Sequence, residues 1–367
     1  MNKKILLFAF RKSHKLFFEN FINNCEENLF EIKESKKSFK FSFSSIRDFK
    51  KIDIQPACSF AIDEFYAKTE IKIPIFILES FFKVMAFVNF LRYHMVLSRN
   101  YEKILIWNGG KFRQLIAIEI AKKICNTKIY YFENGLLPNT NVFDSKGINF
   151  NNSVPRDIKF FENYNNNLDL PKDLIQRTAK NKSKFSVEKT TLPKKYIFVP
   201  FQVDYDTQII TNSKWLKNMR QLFDVIEYLA RNSDIKFVIK EHPSSGKNYP
   251  DLHEKAEKLN NLSFKNGYST QELIQKSSAV ITINSTVGIE SLLFHKKVIV
   301  LGDAFYNIKN ITTGVKDKNK LLELINNIDN LKLNVELIDK FLKYLYYEYL
   351  IRKDDNIYKT FIKKLID

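Results

Sequence analysis

Cysteine and histidine are scarce in this chain of 367 residues, with three of the first and five of the second. Cys25, Cys58 and Cys125 stand far apart and form no CxxC pair, which excludes a disulfide framework and predicts a reducing, cytoplasmic compartment. No second His or Cys stands at ligand spacing from any histidine, which argues against a zinc site. Long uncharged apolar runs are missing too. The most apolar segment, residues 73–97, carries Glu79, Lys83 and Arg92. A spanning helix needs about 20 nearly uncharged residues, so a buried or interfacial helix is expected instead. The opening MNKKILLFAF is cut short by Arg11 and Lys12, and reads as a first buried strand rather than a secretory leader. Acidic charge is in deficit: 59 basic against 41 acidic residues leave a net charge of +18. Such a balance steers a protein toward polyanions or anionic lipid surfaces. Much of the excess lies in residues 33–51. There Lys36, Lys37, Lys40, Arg47, Lys50 and Lys51 interleave with Phe39, Phe41, Phe43 and Phe49. The pattern suits a membrane interface, it suits RNA, and a solvated loop of a lysine-rich protein produces it as well.

What is present is a packed α/β chain. The length suits two domains of about 150 residues with extensions, and the 44% hydrophobic content supports a full interior. Strand-like runs recur at 4–10, 103–107, 128–132, 196–201, 236–240, 279–283 and 298–301. Helical patterns lie at 111–124, 212–230, 270–277, 287–295 and 318–328. This alternation predicts parallel sheets with right-handed crossovers. Between about 158 and 194 the chain turns polar and loses periodicity, which marks a domain boundary. The expected organisation is an N-terminal Rossmann-like domain over 1–180 that takes the acceptor, and a C-terminal one over 190–330 that takes the donor. Amphipathic helices over 331–367 are expected to pack across both. That arrangement describes the GT-B architecture of glycosyltransferases, with a cleft between the domains.

Ligands of open parallel sheets bind beyond the carboxyl ends of the strands, and polar groups gather at those ends here. They are Asn108-Gly109-Gly110-Lys111, Glu133-Asn134-Gly135, the segment from Gln202 through Asp204 to Asp206, Lys240-Glu241-His242-Pro243, Asn284-Ser285-Thr286 and Gly302-Asp303. Their recurrence in both halves predicts one binding cleft. The Asn284–Thr286 cluster, between a strand and a helix start, offers hydroxyls and backbone N–H groups to a phosphate. Glu290, four residues after Thr286, falls within reach of a ribose. His242, ending a strand and fixed by Pro243, can donate to a nucleotide phosphate or a leaving group; a loop histidine bonded to a nearby carbonyl is the plainer alternative. Asp204 and Asp206 have the DxD spacing that holds a divalent metal in some glycosyltransferases, a pattern that also arises by chance in acidic turns. Carboxylates serve as nucleophiles in retaining glycosyl transfer as well, with a second group as acid and base. Glu133 is a natural partner, or else a turn or cap carboxylate.

Together these motifs resemble the capsule polysaccharide synthesis family of bacterial retaining β-Kdo transferases, the KpsC/KpsS type. The matching elements are WNGGKFRQ (107–114), YFENGLLPNT (131–140) with Asp144 and GINFNNSVPR (147–156), VPFQVDYDTQI (199–209), KEHPSSGK (240–247), and residues 281–308. WNGGKFRQ and ENGLLPNT are most similar to the shorter single-module members. The resemblance implies a cytoplasmic enzyme, peripheral at the inner membrane face. It would move 3-deoxy-D-manno-oct-2-ulosonic acid (Kdo) from CMP-β-Kdo, with retention, to a phosphatidylglycerol-type lipid or a Kdo-lipid. By resemblance Asp206 matches the nucleophile and Glu133 the acid/base. His242 matches the histidine that contacts CMP, and Ser285, Thr286 and Glu290 the phosphate and ribose contacts. Lys240, Gln202 and Asn284 complete the expected donor set. Asn108, Lys111 and Arg113 are candidates for the acceptor or the sugar carboxylate, Arg113 with bidentate geometry. No cofactor, metal or nucleic acid is expected, and other capsule synthesis enzymes are expected partners. The alternatives are another CMP-sugar transferase, of the sialyltransferase or lipopolysaccharide Kdo type, and a basic binding module without catalysis.

Overall fold

The computed structural model describes residues 4–23, 29–36, 43–172, 174, 189–353 and 357–366. Compactness divides the chain into two units, one of residues 1–135, 139–153 and 350–367 and the other of 136–138 and 154–349. The first unit begins with β1 (Ile5–Ala9), α1 (Lys12–Asn23), β2 (Phe30–Glu34), α2 (Phe43–Phe49), α3 (Gln55–Lys68) and α4 (Ile75–Leu97). It continues with β3 (Lys103–Trp107), α5 (Phe112–Lys123), β4 (Lys128–Asn134) and β5 (Thr140–Asp144). The strands lie in the order β5-β4-β3-β1-β2, with β1 to β4 parallel and β5 antiparallel to β4. Both faces of the sheet are covered, which is why β1 and β3 read as unbroken apolar runs. Leu6, Phe8, Ile104 and Ile106 pack with Phe90 and Tyr93 of α4 and Ile116 of α5. Leu7, Ala9 and Leu105, on the opposite face, pack with Phe18 and Phe21 of α1.

The second unit carries α6 (Ile158–Asn163), β6 (Ile197–Pro200), α7 (Thr207–Asn212), α8 (Met219–Arg231), β7 (Phe237–Lys240), α9 (Pro250–Glu257) and β8 (Leu262–Phe264). After these come α10 (Thr270–Lys276), β9 (Ala279–Thr282), α11 (Val287–Leu292), β10 (Lys297–Val300), β11 (Thr313–Gly314), α12 (Lys318–Asn326) and α13 (Val335–Tyr344). All strands are parallel, in the order β8-β7-β6-β9-β10-β11. In chain order this is 3-2-1-4-5-6, the Rossmann order, with its switch point between β6 and β9. Past a π-helical turn at Leu345–Tyr349 the chain returns to the first unit as β12 (Ile351–Arg352), antiparallel to β5, and α14 (Ile357–Ile366). Phe361 of α14 packs on Phe21, Phe132 and Phe143, with ring centroids 4.3, 4.8 and 4.5 Å apart.

Several expectations change in detail. The expected boundary near 180 lies at 153/154, because α6 buries Phe161 against Phe341 and Tyr344 of α13 in the second unit. The tail does not act as one set of helices: α13 belongs to the second unit, β12 and α14 to the first. The helix expected over 212–230 starts only at Met219, and Asn212 ends the separate α7. The Asn212 carbonyl that ends α7 accepts from Asn284 Nδ2 and from Asp303 N, and Asn218 caps α8 by accepting from Gln221 N. In the basic–aromatic stretch, residues 37–42 lie outside the described residues, while Phe49 packs edge-on against Phe87 and Phe90 of α4. Among the described residues no helix is long and apolar enough to cross a membrane.

Candidate active site

In the second unit the carboxyl ends of β7, β6 and β9 lie side by side, so the segments that follow them converge at the switch point. Gln202, after β6, and Asn284, after β9, form a buried clamp there. Gln202 Nε2 donates to Asn284 Oδ1 at 3.0 Å, and Asn284 N donates to Gln202 Oε1 at 3.2 Å. Asn284 Nδ2 also donates to the carbonyls of Gln208 (3.0 Å) and Asn212 (3.1 Å). These two amides are therefore spent on holding the loops, which makes them positioning residues rather than ligand contacts.

Asp206 is exposed and caps α7, accepting from Gln208 N at 2.8 Å through Oδ1. Its charge acts on the imidazole of His242, the residue that follows β7 by two. Burial lowers the His242 pKa below 6.5, with Asp206 opposing and Lys240 adding to the shift. Nδ1 of this neutral ring accepts from Ser244 N at 3.1 Å, which assigns the ring proton to Nε2. A fixed N–H donor at the end of β7 thus feels the charge of an exposed carboxylate that follows the adjacent strand β6.

On the β9 side, Ser285 Oγ accepts from Val287 N (3.2 Å), and Ser285 N donates to Thr282 Oγ1 (3.2 Å). Buried Tyr306 donates to the Ser285 carbonyl at 2.5 Å and presses on Gly288, where an added Cβ would stand 2.6 Å from its hydroxyl. Thr286, the residue before α11, makes no side-chain cap bond. Glu290, one turn on, lines a narrow recess with Pro138, Gln271 and Phe294.

Two expected residues serve the fold instead. The Lys240 ammonium donates to the Asn266 carbonyl at 2.8 Å. Asp204, only 3% exposed, accepts from Met219 N at 2.7 Å and from Tyr249 Oη at 3.1 Å, with Lys247 Nζ at 3.4 Å. The pair at DxD spacing is thus split between a buried helix anchor and an exposed cap. Among the described residues no group of three or more His, Cys, Asp or Glu is placed to hold a metal.

In the first unit a cavity of about 400 Å³ opens at the carboxyl ends of β1, β3 and β4. Glu133 lines it, half-buried, accepting from Asn108 Nδ2 (2.8 Å) and Asn134 N (2.8 Å). Asn108 takes the left-handed φ of 67° and Gly109 a φ of 92°; a Cβ on Gly109 would strike the Tyr131 ring at 2.5 Å. Lys111 lines the cavity, with its ammonium 2.8 Å from Glu64 Oε1. Arg113 points to the Phe10 carbonyl at 3.5 Å and does not line the cavity.

Arg11 and His14 occupy the positions that sequence reasoning gave to Arg113. His14, 7% exposed, stacks on Trp107 with ring centroids 5.3 Å apart. Its Nδ1 is enclosed without a partner. Burial, then the charges of Arg11 and Arg113, push its pKa down to about 4. The signal was there: RKSH follows the first strand, as the other polar clusters follow theirs.

The family profile described as "Capsule polysaccharide biosynthesis protein" matches residues 172–354. The chain belongs to the capsule polysaccharide biosynthesis family. Among relatives, Protein FixF of Sinorhizobium fredii is 33% identical over 252 residues, covering 68% of this chain and 60% of its own length. The capsule polysaccharide export protein KpsS of Escherichia coli is 30% identical over 129 residues, a third of each protein. This capsule family chain therefore matches less than two thirds of the length of either relative. Among solved structures, the β-Kdo 2,7 transferase KpsC of Thermosulfurimonas dismutans superposes with a TM-score of 0.51 at 15% identity, covering 99% of this chain and 100% of that one. The shared fold is GT-B.

Proposed function

We propose that this capsule family member is a retaining β-Kdo transferase that uses CMP-β-Kdo and serves capsule linker synthesis on a lipid or Kdo-lipid acceptor. The observation that carries the reading is that Asp206, His242 and the Ser285–Thr286 loop follow the carboxyl ends of three adjacent strands, β6, β7 and β9, at a Rossmann switch point. Family membership and the names of its relatives support the capsule context. In this reading Asp206 Oδ2 attacks the anomeric carbon of Kdo, the bond to the CMP phosphate breaks, and the Nε2–H of His242 stabilises the departing phosphate. An acceptor hydroxyl, its proton taken by a base, then attacks the same carbon and releases Asp206; the family resemblance, rather than any geometry, assigns the base to Glu133. Ser285 and Thr286 offer hydroxyls to the phosphate, and Glu290 is assigned to the ribose. Because Asp204 is committed to the start of α8, the chemistry is assigned without a metal, and turnover is expected to persist in EDTA. An acidic lipid acceptor accords with the net charge of +18.

The test is incubation with CMP-Kdo generated in situ and a panel of lipid and Kdo-lipid acceptors, read by mass spectrometry. Transfer of Kdo with β configuration, and a Kdo-sized adduct on Asp206 when the acceptor is withheld, are the expected results. An adduct on Asp204, an α-configured product, or transfer of a different CMP-linked sugar acid would overturn the assignment.

A further inference from the structure

The first half of α4 is unusual for a helix in a packed unit. Its inner face is conventional, burying Leu78, Ala86, Phe90, Tyr93 and Leu97. The opposite face is not. Phe76 is 65% exposed, Ile77 47%, Phe81 55% and Val84 61%, and Ile71, in the segment before the helix, is 63% exposed. At 100° per residue, Phe76, Ile77, Phe81 and Val84 form one stripe on the side away from the buried one. Contiguous exposed apolar surface of this kind marks an interaction site rather than scattered surface residues.

Charge identifies the occupant. Lys72 and Lys83 are exposed beside the stripe. Helix α2, which packs on α4 through Phe49, adds exposed Arg47 with Lys50 and Lys51 just beyond its end. A second copy of this chain would bring the same net charge of +18 and repel, whereas an anionic leaflet attracts each base near it. We infer that the exposed stripe of α4, with the segment at Ile71, docks the protein on an anionic bilayer, its apolar side chains entering the headgroup boundary and its lysines reaching lipid phosphates. This surface is carried by other residues than the proposed transfer site, so the inference stands or falls independently of which sugar is moved.

The experiment is co-sedimentation of the full chain with vesicles of phosphatidylcholine alone and of phosphatidylcholine mixed with phosphatidylglycerol. Wild type is expected to bind the mixed vesicles at least tenfold more strongly. The triple variant Phe76→Ser, Phe81→Ser, Val84→Ser is expected to lose at least tenfold in that binding, with an unchanged melting temperature, since none of the three is buried. High salt is expected to release only part of the wild type, because insertion persists when charge is screened. As a second reading that does not depend on the triple variant folding, Phe76→Trp is expected to shift its emission to the blue on mixed vesicles. Wild-type binding by the triple variant, no emission shift, or a change in native mass from dimer to monomer in the variant would overturn the inference. The last of these would assign the stripe to a second copy.

Discussion

Asp206 carries two jobs that substitution can separate. It caps α7 through Oδ1 and is proposed to attack through Oδ2. Asparagine caps helices as well as aspartate does, whereas alanine costs about 1 kcal/mol. Asp206→Asn is therefore expected to keep the wild-type melting temperature and lose all transfer, while Asp206→Ala loses both transfer and some stability. Retained turnover in Asp206→Asn would end the nucleophile role. His242→Ala, which truncates a half-buried side chain at a strand end outside the main cores, is expected to abolish transfer in a folded protein. His14 makes a different kind of prediction. Its pKa is about 4 in the folded chain against an ordinary 6.5, so below 6.5 the unfolded chain takes up the proton first. Its contribution to stability is thus full above about pH 6.5 and is lost as the pH falls toward 4. Melting curves of wild type and His14→Gln, compared over that window, are expected to diverge as the pH drops. Parallel curves would mean that the ring is solvated. Asp206 and His242 were legible because they end apolar runs. His14 also follows an apolar run, but nothing in its local sequence marks it further, since its stacking on Trp107 and the enclosure of its Nδ1 arise only when β1 and β3 pair.

At the scale of the element, one of the contacts that hold the loop from β9 into α11, that of Tyr306 with Ser285 and Gly288, can be broken from either side. Tyr306→Phe removes one of two bonds to the Ser285 carbonyl, which keeps the one from Gly288 N at 3.0 Å, a loss of about 0.5–1.5 kcal/mol. Gly288→Ala pushes a methyl group into the Tyr306 ring and costs about 1–3 kcal/mol by overpacking. Because both act through one contact, the double variant is expected to lose less than the sum. Urea denaturation of the four proteins checks this, with CMP affinity followed in parallel. Simple additivity would mean that Tyr306 does not set the loop. The strands on which these sites hang, β1, β3, β4, β6, β7, β9 and β10, all appear in the sequence as apolar runs, because both faces of a parallel sheet are buried. Strand β5 did not. Its sequence is TNVFD, and the buried Asp144 accepts from Lys146 N, Gly147 N and Ser153 N and Oγ, a polar network that mimics a loop in composition. The edge strands β2, β8, β11 and β12 were too short or too mixed to show a period.

The whole molecule follows a path that local patterning cannot reveal, because the closing elements pair with partners more than 200 residues earlier. Strand β12 adds to β5, Lys353 N donates to the Asn139 carbonyl at 2.8 Å, and Lys103 Nζ donates to the Leu365 carbonyl. The tail reads as amphipathic helices, and its division between the two units is set only by which core has room for each apolar face. Phe341 fits against Phe161 in the second unit, and Phe361 fits among Phe21, Phe132 and Phe143 in the first. The consequence is testable. Truncation after Tyr349 removes β12 and α14, uncovers three phenylalanines and leaves the edge of β5 without its partner. Loss of the Phe361 contacts alone, as in Phe361→Ala, costs about 3–5 kcal/mol. Both changes are expected to raise hydrogen exchange throughout β1, β3, β4 and β5, and to leave β6, β7 and β9 protected, since the second unit has its own core around Ile197, Val199 and Ile281. Equal deprotection of both sheets would mean that the two units unfold as one, and that the tail stabilises the molecule through something other than the packing of Phe361.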